Sequence, residues 1–248
     1  MFHKRLQQFV LVYAAGVLSL ILMKYLLHLS DYVIPGPLEI WHTVLSVFVR
    51  YLWNVADTLW IAVLGHLISI FLAFAIGVAG RRASWIGSLI RAAAYNIQAY
   101  PMVAVAPIIF ILLGDGLLAR LLIAVMICYF PLLLSVISIL SEPVDSVEHF
   151  YEATGRMNWR LQVRIRAYEN IHKLTTVIVG SATMAMVGTI VAEFVAADAG
   201  IGYSIRIALY QSDLSKILAA LFLIGISTSL YLTALEWAGD VVERKFQV

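Results

Sequence analysis

Chemistry needs ionisable or nucleophilic side chains brought together, and this chain offers few. Its six histidines stand at positions 3, 28, 42, 66, 149 and 172. They are spread over separate segments, so no metal set and no acid–base constellation of the kind a membrane enzyme needs is expected. The single cysteine, Cys128, lies in an apolar run and reads as a small buried hydrophobe. One thiol builds no disulfide framework and no cysteine zinc site within a chain. There is no phosphate-binding loop of the Gly-x-x-x-x-Gly-Lys type. No catalytic residue, no bound metal and no cofactor is therefore expected. Two places keep chemical interest. In residues 191–203, Glu193 closes an apolar helix and is followed by Gly200 and Gly202. Residues 142–173 form a charged stretch between two apolar runs.

A carboxylate at the end of an apolar helix is costly unless it is paired or wet. Glu193 is expected to pair with Arg206 or to cap the glycine turn through backbone N–H groups. His66, in the middle of another apolar run, is expected to hydrogen-bond between helices. In the charged stretch, Pro143 suits a helix start. Val147, Phe150, Tyr151 and Thr154 then share one helical face, and Gly155 interrupts. A second short helix would carry Trp159, Val163 and Arg166 on one side. Tyr151, Met157 and Trp159 are large anchors of the sort that carry helix-in-groove binding. Gly155 permits close backbone approach. The stretch reads either as a solvated amphipathic loop or as a docking surface for a partner protein.

These features must be held by elements inside a membrane. The chain is 62% hydrophobic and only 13% charged, against about 25% charged for soluble domains. Charge-free windows predict six spans, near 6–23, 58–80, 92–114, 121–141, 174–192 and 217–235. Each approaches the ~20 residues that a bilayer core requires. The apolar run after Lys4 and Arg5 reads as the first span rather than a cleaved leader. Gly114-Asp115-Gly116 argues for a turn between the third and fourth spans, although a fused span is the other reading. With both ends of the chain cytoplasmic, 12 of the 17 basic residues fall inside and 5 outside. The positive-inside rule then favours an N-in, C-in arrangement. Residues 1–57 are read as a first span plus an outer amphipathic helix near Leu38, Trp41, Leu45 and Phe48. Residues 58–248 are read as a five-helix core containing the charged loop at 142–173.

A path for solute needs bends and polar lining. Pro101 and Pro107 interrupt the third span and Pro131 the fourth, and the freed carbonyls need protein or water as partners. Asn96, Gln98 and Tyr100 lie near these prolines. Met184 and Thr189 lie on a fifth span rich in Gly, Ala, Ser and Thr, which permits close helix contact. Those five residues are the candidate lining, with packing kinks and intrahelical bonds as the plainer alternative. No span holds Lys or Arg near its middle, so no deep fixed charge for an anion is evident.

Several motifs in order resemble one family. Val33-Ile34-Pro35-Gly36-Pro37, Asp57-Thr58-Leu59, Tyr100-Pro101 through Ala106-Pro107, Leu113-Gly114-Asp115-Gly116, Phe130-Pro131 and Ala192-Glu193-Phe194 with Gly200-Ile201-Gly202-Tyr203 resemble the punctuation of ABC-importer permeases. The charged loop, with Gly155 and Trp159, resembles their cytoplasmic signature loop. Two departures stand out, because His149 replaces the acidic residue six before the glycine and Ala167-Tyr168 replaces a Leu-Pro.

The resemblance implies an all-α membrane protein with the type I, methionine-importer-like permease fold. It would lie in the bacterial cytoplasmic membrane and take no part in nucleic-acid binding. It implies a non-catalytic subunit working as a dimer with two ABC ATPase subunits, which hold ATP and Mg, and an external substrate-binding protein. Glu148, Tyr151, Glu152, Ala153, Gly155, Arg156, Met157 and Trp159 would couple to the ATPase. Glu193, Gly200, Gly202, Pro101 and Pro107 would be structural signature residues. The branch resembled carries sulfonates, taurine, nitrate, bicarbonate and pyrimidine vitamin precursors. The competing reading is a secondary transporter or channel without an ATPase, which would require buried ion-coupling residues or repeated halves.

Overall fold

A computed structural model describes residues 2–246, and among these every regular element is helical. In order they are α1 (Phe2–Leu26), α2 (Pro37–Ala79), α3 (Ser84–Gln98), α4 (Met102–Leu113), α5 (Leu117–Ser141), α6 (Asp145–Ala153), α7 (Trp159–Glu169), α8 (Ile171–Val195), α9 (Gly200–Tyr210) and α10 (Leu214–Phe246). Five of them, α1, α2, α5, α8 and α10, are long and apolar enough to cross a membrane. The pair α3 and α4 makes a sixth candidate if its two pieces count as one span.

Two elements differ from the sequence reading. The outer amphipathic helix is not separate: it runs unbroken into the second span as the 43-residue α2. At 1.5 Å per residue that helix is about 65 Å long, roughly twice the bilayer core. Pro37 starts it at the first turn, where a missing N–H costs nothing. The position after residue 57 therefore falls inside a helix. Asn54 and Asp57 look like a boundary in sequence, but both are partnered, Asn54 by Ser204 and Asp57 by Arg120. The third span is also not one kinked helix. It begins at Ser84 and breaks by 88° between α3 and α4. Pro101 is the N-cap of α4, and its extended backbone ends the run before it.

The packed centre is α2, α5 and α8. Gly65 of α2 and Gly188 of α8 both press on Ala124 of α5, where an added Cβ would lie 3.2 and 3.0 Å from its atoms. Small residues let three backbones meet at this level. α2 and α5 run parallel, since Gly65 meets Ala124 and Gly77 meets Val136. α8 returns antiparallel, with Cys128 opposite Ser181 and Arg120 opposite Glu193. α10 lies beside α2, and α1 runs antiparallel along α10, with Tyr13 Oη donating to Leu218 O and Phe9 beside Phe222. This topology puts the start of α1, the end of α10 and the α6–α7 hairpin at one end of the bundle, and α9 at the other.

Candidate functional site

The α6–α7 hairpin stands between the end of α5 and the start of α8. The chain reverses at Gly155, whose φ of +67° suits glycine, and the N–H groups of Arg156 and Met157 both donate to Tyr151 O at 3.0 and 3.2 Å. Asn158 starts α7 by accepting from Leu161 N at 3.0 Å. One buried ion pair fixes the hairpin. Arg166 Nε donates to Glu148 Oε1 at 2.6 Å and Nη2 to Oε2 at 2.8 Å. Glu148 also accepts from Gln162 and from Val144 N. The Arg166 guanidinium, aided by these donors, holds the Glu148 carboxyl down to about 2. Arg166 Nη1 donates further to the carbonyls of Leu140 and Ser141, which close α5. A single arginine thus ties α5, α6 and α7 into one piece, so a force on the hairpin reaches the membrane helices.

The exposed side of this piece carries Glu152, Ala153, Gly155 and Arg156, with Phe150 63% exposed beside them. Tyr151, Met157 and Trp159 are half-buried. Trp159 and Val163 pack onto the core near Leu133 and Leu140. Of the eight expected coupling residues, Glu148 is buried with its charge spent on Arg166 and Trp159 turns toward the core, while Glu152, Ala153, Gly155 and Arg156 face outward. The second helix carries Trp159, Val163 and Arg166 on its packed side, as its spacing predicts.

At the opposite end, Glu193 is fully buried. Its expected partner Arg206 donates to the carbonyls of Phe194 and Ala197 instead. The cation that meets Glu193 is Arg120 of α5, which also donates to Asp57 of α2 at 2.7 Å. The expected backbone cap is present, because Gly202 N donates to Glu193 Oε2 at 2.9 Å. Thr58 Oγ1 donates to the same oxygen at 2.7 Å and accepts from Ile201 N at 2.9 Å. Gly200 lies at φ +90°, and any Cβ there would collide with the Glu193 carboxylate. The two glycines are therefore what lets the start of α9 sit on this carboxylate. The knot joins α2, α5, α8 and α9.

Mid-bundle, His66 is fully buried and bridges three helices. Its Nδ1 lies 2.6 Å from Tyr231 Oη of α10 and its Nε2 lies 2.9 Å from Ser181 Oγ of α8. The expected interhelical bond is thus present. The candidate lining residues separate. Asn96, Gln98 and Tyr100 are exposed around the α3–α4 break, with Pro101 and Pro107 also exposed. Met184 is 44% exposed on α8. Thr189 is fully buried and donates back to Ala185 O at 2.9 Å, so it stands off the open surface. No hydrogen bond among the described residues joins Asn96, Gln98 or Tyr100 to Met184.

Sequence reasoning missed Arg120, Arg166, Tyr231 and Ser181 as partners. Arg120 falls just before the fourth apolar window, yet it is the fourth residue of α5, where an arginine in an apolar helix needs a counter-charge.

A family model described as "Binding-protein-dependent transport system inner membrane component" matches residues 65–248. The chain belongs to this family. The match starts inside α2 and takes in the centre of the bundle, the hairpin and, of the Glu193 knot, Arg120, Glu193 and Gly202 but not Asp57 and Thr58. This permease is also 34% identical over 139 residues to the "Riboflavin transport system permease protein RibX" of Chloroflexus aurantiacus. That alignment covers 55% of this chain and 52% of the relative. The chain thus spans about half the length of that curated relative. With five to six apolar helices, this member of the ABC-type permease family is a multi-pass membrane protein.

Proposed function

We propose that this permease is the membrane subunit of an ATP-driven importer in a bacterial cytoplasmic membrane. It works as a dimer, homodimeric or with a related chain. Two ATPase subunits grip its α6–α7 hairpins, and an external binding protein delivers solute at the α9 end. Both chain ends are then cytoplasmic, on the hairpin side. ATP-driven closure of the two motors draws the hairpins together, and the bundle opens outward by rigid-body motion. The observation that carries this is the Glu148–Arg166 pair. It locks a hairpin with an exposed aromatic, a tight glycine turn and flanking charges onto the end of α5.

The cargo we propose is a small polar solute, and an aromatic heterocycle such as a flavin or a pyrimidine precursor ahead of sulfonate, nitrate or bicarbonate. The likeness to a riboflavin permease supports that order. So does charge: residues 92–119 and 174–205, which include the exposed Asn96, Gln98, Tyr100 and Met184, contain no Lys or Arg to hold an anion.

Cross-linking tests the docking. The sole native thiol, Cys128, is fully buried and silent. An Arg156→Cys variant should therefore form a disulfide with cysteines placed on the co-expressed ATPase. A matching Gln211→Cys variant at the far end should not. Cross-links from residue 211 and none from 156 would refute the assignment.

A further inference from the structure

The elbow between α2 and α3 holds a cavity of about 260 Å³ that the transport reading does not use. Arg81, Arg91, Ser84, Ser88 and Ser141 line it. α3 begins directly against the end of α2, since a Cβ on Gly87 would lie 2.8 Å from Gly80 O. Two guanidiniums converge on a single hydroxyl: Arg81 Nη1 reaches Ser141 Oγ at 3.3 Å and Arg91 Nη2 reaches it at 3.5 Å. Arg81 Nη2 donates to the neutral Gln162, and Arg81 Nε is buried with no acceptor. Among the described residues no carboxylate lines the cavity. The carboxylates of the neighbouring segment are committed elsewhere, Glu148 to Arg166 and Glu142 to Lys173. Burial and the charges of Arg166 and Arg91 push the Arg81 pKa down, against a smaller upward pull from Glu148. Ala83, the N-cap of α3, supplies no side-chain acceptor to the first N–H groups of that helix.

Two forks, three hydroxyls and a helix start around one small space match a tetrahedral oxyanion. The surroundings then choose its source. Trp85 and Leu89, one turn apart on α3, are 67% and 60% exposed beside Ser84 and Ser88. An indole at headgroup level with an apolar lane leading from it suits acyl chains rather than water. We propose that this cavity holds the phosphate group of an anionic phospholipid, clamped between Arg81 and Arg91 with its chains along Trp85 and Leu89. The lipid would brace the α2–α3 elbow, on which the α3–α4 break hangs.

Native mass spectrometry of the full chain, released from nanodiscs of phosphatidylglycerol or phosphatidylcholine, tests this. The wild type should retain phosphatidylglycerol and not phosphatidylcholine. The R81Q/R91Q variant should retain about tenfold less phosphatidylglycerol, as expected for loss of charge-assisted hydrogen bonds. R244Q, which removes an exposed charge on α10, should match the wild type. Ser88→Glu keeps both arginines and places a carboxylate at the cavity. It should lose lipid retention while raising thermal stability in lipid-free micelles, a result that a misfolded variant cannot give. Inorganic phosphate should displace the lipid only weakly. Equal occupancy by inorganic phosphate alone would overturn the lipid assignment in favour of a soluble anion. Unchanged lipid retention in R81Q/R91Q would overturn the site, and lost co-purification of the ATPase in that variant would give the cavity to the protein partner.

Discussion

Replacing Glu193 by Gln should destabilise this permease more than replacing Arg206. The Glu193 side chain is fully buried and accepts from Arg120, Thr58 Oγ1 and Gly202 N. Gln keeps the shape and one acceptor oxygen, but it removes the charge and turns an amide donor toward other donors. Breaking a buried ion pair from one side costs about 3–5 kcal/mol, and the retained acceptor argues for the lower figure. In a chain of this length each kcal/mol lowers Tm by about 2–4 °C, so E193Q should melt about 6–12 °C lower. Arg206 bonds two backbone carbonyls near the surface and lies over the Tyr203 ring, and R206Q should cost about 1–2 kcal/mol. The assay is built into the chain, because a thiol-reactive fluorophore reaches Cys128 only on unfolding. R120Q/E193Q should lose less than the two single variants together, since each removes the same pair. Equal shifts for E193Q and R206Q, or strict additivity of R120Q and E193Q, would refute the knot.

Four further outcomes follow from the geometry. The Glu148 carboxyl sits at about 2 in the folded chain, below its ordinary 4.5. A lowered folded value adds stability at every pH above 4.5, and that contribution drains away as pH falls through about 2. Hydrogen-exchange protection of α6 and α7 should decline across that window in the wild type and stay flat in Glu148→Gln. Gly155→Ala should lower Tm by about 2–4 °C, because its left-handed backbone costs a side chain roughly 1 kcal/mol even in open space. Gly180→Ala, inside α8 with open space around it, should raise Tm by a similar few degrees. Tyr231→Phe strips His66 Nδ1 of its partner and should cost about 1–3 kcal/mol, read by the same thiol assay.

Much of this was legible in the residues. Glu193 followed by two glycines announced a capped turn, and the cap is there. Gly155 announced the reversal between two short helices, and His66 its interhelical bond. What the residues hid was pairing across distance. Arg120 and Glu193 lie 73 positions apart and Glu148 and Arg166 18 apart. A charge reads as surface until its partner is known. The same effect hid the continuity of α2, because Asn54 and Asp57 look like a polar boundary while lying inside one helix. Pro101 signalled a kink, but neither the 88° bend nor the helix start at Ser84 follows from one proline. Thr189 showed the plainer outcome for a hydroxyl in a span, a bond to the carbonyl one turn back.

In the proposed mechanism, energy enters this bundle through the hairpin from an ATPase outside the membrane. Uptake into proteoliposomes, with the external binding protein and a flavin as the tested cargo, measures this directly. Transport should require both the ATPase subunit and ATP, and Trp159→Ala should leave ATP hydrolysis running while uptake stops. Sustained, concentrative uptake by the permease without any ATPase would show that its energy comes from elsewhere and refute coupling through the hairpin.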